Sequence, residues 1–313
     1  MTLLNDVAGT EKASFSRNFD YYLRQYSNTT TPTVYSICNN KGKNVVTLEN
    51  NAEYAQRYAA APKMEIMQVP NATGEMMDAY IIKPTNFDAG KKYPLLMYQY
   101  NGPDSQNVRN SWHMEGVFYL ASQGYVVACV DGRGTGNRSR EWSTAVYRKL
   151  GQLETADQLA GAKYFAALPY IDADRVACFG WSYGGYMTLM EMSDKNSPFK
   201  CGVAMAPVTD WRFYDSIYTE RYMTTPQQNK SGYDAASALD RTENLKGRLL
   251  IMSGTSDDNV HFYNTLKYTS KLNSEGVVFD MMALTGFEHS LGMCNARAML
   301  FRKIADFLST QLK

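Results

Sequence analysis

Short apolar runs separated by polar turns fill the first 60 residues. Strand-favouring residues predict strands over 13–15, 21–26, 33–38 and 44–48, with turn-forming stretches between them. Four successive short strands joined by tight turns resemble one blade of a β-propeller, or the end of one. A lone blade leaves both faces uncovered, and no second copy of the pattern follows. We therefore predict that residues 1–60 are an all-β remnant of a propeller and that the chain is a fragment of a longer protein.

The pattern changes from about residue 62. An antiparallel hairpin is predicted over 63–69 and 76–82, followed by buried strands at 94–100 and 125–130. Beyond these, strands over 176–179, 202–206, 249–252 and 278–283 alternate with helices over 156–168, 183–193, 262–274 and 296–312. Such alternation predicts a mostly parallel sheet with helices on both faces, which assigns residues 61–313 to one α/β domain. Residues 210–245 are polar and aromatic, and are predicted to be an insertion over the carboxyl edge of the sheet.

Charge and hydropathy exclude several classes of partner. The 313 residues include 32 basic and 31 acidic ones, for a net charge of +1, which gives no electrostatic footprint for nucleic acid or anionic lipid. No apolar run approaches the ~20 residues that span a bilayer, so no membrane span is predicted. The first six residues lack the basic start and apolar stretch of a secretory signal.

Five cysteines are scattered along the chain without close pairs, at positions 38, 129, 178, 201 and 294. This spacing supports neither a disulfide framework nor a zinc site, and no cofactor is indicated. The cysteines are predicted to be small core side chains, with Cys129 and Cys178 inside strands.

The candidate chemistry begins where the strand at 176–179 runs into Gly180-Trp-Ser-Tyr-Gly184 and then a helix. This is the strand–turn–helix context of a nucleophile elbow, with Ser182 as the nucleophile of an α/β-hydrolase fold. The two glycines have a steric purpose, because so sharp a turn leaves no space for a Cβ two residues before or after the serine. The alternative is a glycine-rich turn without chemistry.

A serine nucleophile needs an imidazole base, which follows Ser182 and the acid in chain order in this fold. Only two histidines lie downstream, His261 and His289. His289 lies in a loop between the last strand and the last helix, so its position selects it as the base. His261 is interpreted as a helix-start residue that bonds nearby backbone.

The acid is expected after the strand at 249–252, where Asp257 and Asp258 are adjacent candidates. We expect one to orient His289 and the other to cap the helix that begins near Val260, and sequence physics does not separate them. For the oxyanion, one donor is expected to be the backbone N–H of Tyr183. The hydroxyl of Tyr100, in the loop after the third strand of the domain, could supply the second, or Tyr100 could simply pack at a strand end.

With these residues assembled, the sequence from about residue 11 onward resembles the catalytic domain of the prolyl oligopeptidase family, and most of all its dipeptidyl peptidases. The resemblance rests on several stretches in the right order: 100–103, 131–134, 180–186, 199–202, 214–223 and 254–261. It implies a triad of Ser182, Asp257 and His289, with Asp257 rather than Asp258 as the acid. It also implies that Tyr100 donates its hydroxyl to the oxyanion alongside the backbone of Tyr183.

The same resemblance implies a proline-accepting pocket with Asn259 near the substrate carbonyl, lined by Tyr183, Val208, Trp211, Tyr214, Tyr218 and Val260. Flat aromatic walls suit a compact apolar pyrrolidine ring. Without the resemblance, Tyr214 and Tyr218 could be an i,i+4 aromatic pair on a helix face. The turn at 131–134 is expected to brace the catalytic face, and His113 to be a surface or packing residue.

The function implied is a serine exopeptidase that releases N-terminal Xaa-Pro or Xaa-Ala dipeptides through an acyl-enzyme on Ser182. Its partners would be peptides with proline at the second position, and its location the periplasm or cell surface. Family members carry a whole propeller whose acidic residues bind the substrate amine, and nearly all of it is missing here. The exposed apolar surface would favour self-association as a homodimer. The alternatives are another peptidase of the family, an oligopeptidase or acylaminoacyl peptidase, an esterase, or a catalytically silent fragment.

Overall fold

The N-terminal part of the computed structural model is a four-stranded antiparallel sheet. The structure describes residues 4–113, 116–291 and 295–313. The strands are β1 (Thr10–Phe15), β2 (Tyr21–Asn28), β3 (Thr31–Asn39) and β4 (Asn44–Glu49), in that order across the sheet. The Asn28 side chain accepts from the backbone N–H groups of Thr30 and Thr31 and so closes the turn between β2 and β3. All four predicted strands are present, each extended by one to three residues.

This sheet is poorly covered. Every residue of β1 and β4 is exposed, including the apolar Val45, Val46 and Leu48. Burial is confined to β2 and β3, where Tyr22 and Cys38 are among the buried side chains. A short helix that the pattern did not predict, α1 (Ala52–Arg57), follows β4 and has no buried residue.

The second sheet has eight strands in the order β12-β11-β10-β9-β7-β8-β6-β5. Its strands are β5 (Met64–Pro70), β6 (Met76–Ile82), β7 (Tyr93–Gln99), β8 (Val126–Asp131), β9 (Ile171–Trp181), β10 (Cys201–Met205), β11 (Arg248–Gly254) and β12 (Asp280–Leu284). The β5–β6 and β6–β8 pairs are antiparallel and the other pairs are parallel. The expectation of a mostly parallel sheet in an α/β-hydrolase fold is confirmed.

Helices cover both faces of this sheet. They are α2 (Gly116–Ser122), α3 (Arg140–Thr144), α4 (Leu153–Ala166), α5 (Tyr183–Met192), α6 (Ser216–Met223), α7 (Lys230–Ala235), α8 (Tyr263–Ser274) and α9 (Ala296–Gln311). Successive strand residues point to opposite faces, so Leu95 packs in the core beneath α4, α5 and α8, whereas Leu96 packs in the core beneath α2 and α9. Ser182 therefore lies at the edge of a sheet that separates two cores.

The insertion predicted at residues 210–245 contains α6, α7 and two short 3₁₀ turns, and no strand. Among the described cysteines, Cys129 in β8 and Cys178 in β9 are buried, as are Cys38 and Cys201; Cys294 lies outside the described residues. No helix in the described part of the chain has both the length and the apolar character to cross a membrane.

Candidate active site

Ser182 stands on a sharp turn between β9 and α5. Its backbone has φ 61° and ψ −118°, a conformation that is strained for a residue with a side chain. The turn is held because the amide N–H of Ser182 donates to the Met205 carbonyl at 2.8 Å and its own carbonyl accepts from Tyr186 N at 3.0 Å. Such strain persists only where the surroundings over-determine it, and it exposes the hydroxyl above the sheet.

The glycines on either side of Ser182 are required by space. A Cβ on Gly180 would lie 2.1 Å from the Gly184 carbonyl oxygen, and a Cβ on Gly184 would lie 2.1 Å from the carbonyl oxygen of Gln99 in β7. Both obstacles are backbone atoms, which do not move aside as a side chain can. The steric reason expected for the Gly-x-Ser-x-Gly pattern is thus present.

Asp257 lies buried in the loop after β11 and uses both carboxylate oxygens. One oxygen, Oδ2, is 2.7 Å from Nδ1 of His289, while Oδ1 accepts from the backbone N–H groups of Asn259 at 3.0 Å and Val260 at 2.8 Å. One of the two aspartates contacts His289, as expected, but the expectation that its neighbour would cap the helix is wrong. Asp257 supports both the turn and the imidazole, and α8 begins only at Tyr263, with no side-chain cap.

The loop that carries His289 is fastened to the end of β11. The Ser256 N–H donates to the Phe287 carbonyl at 3.0 Å, and a Cβ on Gly254 would lie 2.1 Å from that same oxygen. Since β9, β10, β11 and β12 are parallel neighbours, their carboxyl ends meet at one edge of the sheet. The residues that follow β9, β11 and β12, namely Ser182, Asp257 and His289, therefore share that edge.

Tyr100 follows β7 at the same edge and is half-buried. Burial raises the pKa of Tyr100, while the neighbouring Ser182 side chain lowers it by less. The phenol is therefore protonated at neutral pH and able to donate. The ring lies 6.0 Å from that of Tyr183, whose backbone N–H follows Ser182 directly.

The Tyr183 side chain is anchored by a buried glutamate that the sequence pattern did not single out. Its hydroxyl donates to Oε1 of Glu154, in the first turn of α4, at 2.8 Å. Burial raises the pKa of Glu154 to about 7 and also raises the pKa of Tyr183. The second oxygen of Glu154, Oε2, has no hydrogen-bond partner among the residues that the structure describes. No short-range signal reveals this pair, because its members are 29 positions apart.

A cluster of aromatic side chains, at the place where the proline pocket is predicted, adjoins Tyr183. Trp211 is buried, with its ring centroid 5.2 Å from that of Tyr183 and 6.0 Å from that of Tyr218, on which it stacks. Tyr214 packs edge-on to Tyr218 at 5.4 Å, and its hydroxyl donates to Oδ1 of Asn259 at 2.6 Å. Burial raises the pKa of Tyr214 to about 12, so the phenol stays a donor. Two further members of the set predicted for this pocket, Val208 and Val260, are buried in the same core.

The alternative interpretation of Tyr214 and Tyr218 as a pair on one helix face does not describe the structure. Tyr214 ends the 3₁₀ turn at 211–213, and only Tyr218 belongs to α6, whose first turn is capped by Asp215 through a bond from Tyr218 N at 2.7 Å. Tyr222, which was not singled out, packs its ring edge-on to that of Tyr218, with 4.8 Å between the ring centroids.

The turn at 131–134 braces the loops around the site. Both oxygens of Asp131 accept backbone N–H groups of the loop after β7, and burial raises its pKa to about 6. Arg133 pairs with the buried Asp157 through two hydrogen bonds of 2.9 and 2.6 Å. Asn101, next to Tyr100, accepts from Gly132 N at 2.8 Å and so ties the two loops together.

The remaining two histidines are His113 and His261, and His261 lines a cleft together with Tyr214 and Asn259. His113 is half-buried, with Nδ1 3.1 Å from the Ser111 carbonyl oxygen and its ring edge-on to Phe118. His261 is exposed, and its carbonyl accepts from Asn264 N at 2.9 Å just before α8 begins. Both positions agree with the packing and helix-start roles expected from the sequence.

Comparison with known proteins extends this picture. Residues 112–313 match the model of the prolyl oligopeptidase family. A probable dipeptidyl-aminopeptidase B of Pyrenophora teres f. teres is 40% identical over 312 residues, covering 97% of this chain and 34% of that protein. Its counterpart in Aspergillus terreus is 41% identical over 313 residues, covering 96% of this chain and 34% of that protein.

Two solved structures are similar throughout. The crystal structure of Porphyromonas gingivalis dipeptidyl peptidase 4 is 46% identical, with a TM-score of 0.96, over 99% of this chain and 45% of that one. A putative dipeptidyl aminopeptidase IV from Bacteroides ovatus is 31% identical, with a TM-score of 0.91, over 97% of this chain and 43% of that one. The chain thus spans about a third of the length of these curated relatives and under half of the solved ones. On the family match and these similarities together, the chain belongs to the prolyl oligopeptidase family.

Proposed function

We propose that this chain carries the catalytic part of a serine exopeptidase that releases N-terminal Xaa-Pro or Xaa-Ala dipeptides. The observation that carries the proposal is the 2.7 Å contact between Asp257 and Nδ1 of His289, at the sheet edge where Ser182 stands on its strained turn. A carboxylate on Nδ1 leaves Nε2 of the imidazole free to accept the serine proton. The relatives named as dipeptidyl-aminopeptidases and dipeptidyl peptidases support this choice within the family.

In the proposed reaction, Ser182 Oγ attacks the carbonyl of the second substrate residue and His289 Nε2 takes its proton. The backbone N–H of Tyr183 and the hydroxyl of Tyr100 donate hydrogen bonds to the oxyanion. Because both donors are already in place, they stabilise the negative charge that develops in the transition state and so lower the activation barrier. His289 then passes the proton to the leaving amine, which departs and leaves an ester on Ser182. A water molecule, deprotonated by His289, hydrolyses this ester and releases the dipeptide.

Selectivity for proline or alanine is assigned to the aromatic cluster. Tyr183, Trp211 and Tyr218 present rigid apolar rings, which would suit a pyrrolidine ring or a methyl group and penalise a charged side chain. Asn259, held by the Tyr214 hydroxyl, is assigned to the substrate carbonyl. No cofactor takes part in the proposed reaction.

The same proposal covers the wider organisation of the protein. Residues 1–60 are proposed to be the end of a propeller and residues 61–313 the catalytic domain. The exposed apolar side chains of β4 support the proposal that another part of a propeller packs against residues 1–60. A location in the periplasm or at the cell surface and assembly as a homodimer remain proposals that rest on family likeness.

The test compares turnover of a Gly-Pro chromogenic anilide, its N-blocked form and a simple ester by the natural protein. We expect the free-amine anilide to be preferred, and loss of its turnover in Ser182→Ala and His289→Ala but not in the matched control His261→Ala. Preference for the blocked peptide would assign the protein to the oligopeptidases of the family instead. Fluorophosphonate labelling that is equal in His289→Ala and wild type would refute an assembled triad and leave a silent fragment.

A further inference from the structure

A cavity of about 620 Å³ lies at the catalytic edge of the sheet, on the face opposite the aromatic cluster. Its walls include Tyr98, Phe179, Trp181, Arg297, Phe301 and Arg302. None of these residues belongs to the site described above, although Trp181 immediately precedes Ser182. The sequence motifs did not single out its α9 residues.

Strand geometry explains why the cavity and the aromatic cluster lie on opposite sides of Ser182. Side chains alternate along β9, so Phe179 and Trp181 contact the core beneath α2 and α9, whereas Tyr183 contacts the core that holds Trp211. A substrate whose acyl part lay beside Tyr183 would direct its leaving part across Ser182, toward the side of Trp181.

The lining of the cavity indicates the chemistry of its occupant. Phe179 is 5.5 Å from Tyr98 and 6.0 Å from Phe301, measured between ring centroids, which gives an apolar wall for side chains or peptide planes. At its rim lie two exposed guanidinium groups, Arg297 and Arg302, and none of the described residues that line it carries a carboxylate. Neither arginine forms an ion pair with any residue in the described ranges. Arg297 is also in the first turn of α9, where the helix dipole favours an anion.

We propose that this cavity binds the leaving part of peptide substrates and that Arg297 and Arg302 select a carboxylate there. The inference rests on the proposed peptidase function. The carboxylate has two sources: the free C-terminus of a tripeptide or tetrapeptide, or an acidic side chain in the first two residues after the cleaved bond. Both offer a planar anion to a guanidinium fork, which binds carboxylates through paired hydrogen bonds.

The experiment compares kcat/KM for four substrates in the natural protein: Gly-Pro-Ala-Ala with a free C-terminus, the same peptide as its C-terminal amide, Gly-Pro-Glu-Ala amide, and Gly-Pro anilide. We expect Arg297→Gln/Arg302→Gln to lose about tenfold on substrates that carry the carboxylate, the size of one or two charge-assisted hydrogen bonds. The neutral amide and the anilide should be unaffected. Lys303→Gln, an exposed charge on the same helix but outside the cavity, is the matched control.

A selective loss on the free-acid tetrapeptide assigns the arginines to the C-terminus, and a selective loss on the glutamyl peptide assigns them to an acidic side chain. The inference would be overturned if the double variant left two ratios of kcat/KM unchanged, that of the free-acid tetrapeptide to its amide and that of the glutamyl peptide to the same amide. Normal turnover of the anilide would in that case leave the proposed peptidase function intact. Absence of anilide turnover in wild type would overturn the proposed function and this inference with it. A loss of equal size in Lys303→Gln would reduce the effect to net charge and equally overturn the assignment.

Discussion

Replacing Glu154 with glutamine should flatten the dependence of stability on pH. Burial raises the pKa of this carboxyl from 4.5 to about 7. Between these values the unfolded chain ionises Glu154 while the folded chain keeps it protonated, so the folded state binds more protons and stability falls as pH rises. At about 1.4 kcal/mol per pH unit, the folded state has lost about 3 kcal/mol of stability through this group by pH 7 and above.

Glutamine cannot ionise, so Glu154→Gln removes this loss. Its amide oxygen can still accept from the Tyr183 hydroxyl, but an NH₂ group replaces the oxygen that has no partner. In the protonated carboxyl that same oxygen carries the proton, so at pH 5 wild type and variant each bury a donor without a partner. The variant should therefore be about as stable as wild type at pH 5 and more stable at pH 8.

Urea unfolding followed by fluorescence at pH 5, 6, 7 and 8 measures the effect, with Glu243→Gln, an exposed glutamate, as the matched control. The quantity that decides is the difference in unfolding free energy between variant and wild type. It should grow by about 3 kcal/mol across this range for Glu154→Gln and stay constant for the control. If the Glu154→Gln difference were also constant, Glu154 would be ionised throughout and the reasoning from burial would be wrong.

Three further predictions concern the site. Tyr100→Phe removes one proposed oxyanion donor and should lower kcat on Gly-Pro anilide by about 10²–10³ with little change in KM; an unchanged kcat would exclude that role. Asp257→Asn should lower kcat by about 10⁴, whereas Asp258→Asn should leave it nearly unchanged, and the reverse order would reassign the acid. Gly184→Ala should lower the thermal midpoint by several degrees, because its Cβ would lie 2.1 Å from the Gln99 carbonyl oxygen; an unchanged midpoint would mean that the turn relaxes freely.

Those parts of the fold that follow local patterns could be predicted from the sequence. The strands of the second sheet are apolar runs bounded by turn residues, and Ser182 lies in a strand–turn–helix motif that is local in the chain. The start of α4 was placed too late, at residue 156 instead of Leu153. The reason is that its first turns bury polar side chains, among them Glu154, Asp157 and Gln158, so no apolar stripe marks them.

Contacts between segments that are distant in the chain could not be predicted from the sequence. The bond between Glu154 and Tyr183 and the ion pair between Arg133 and Asp157 depend on how α4 lies against the sheet. The choice between Asp257 and Asp258 needed the resemblance, because neighbouring aspartates have the same chemistry and only the turn geometry shows that one carboxylate reaches both partners. The cavity beside Trp181 combines residues from β7, β9 and α9, which no local motif joins.

The double use of Asp257 sets a condition for anyone who would graft this arrangement onto another scaffold. The carboxylate is oriented toward His289 because its other oxygen accepts hydrogen bonds from the backbone N–H groups of Asn259 and Val260. Transferring only the three side chains to another sheet would omit these hydrogen bonds, and the carboxylate would be free to rotate away from the imidazole. The smallest portable unit is the whole turn from the end of β11 to the start of α8, together with the loop that it holds.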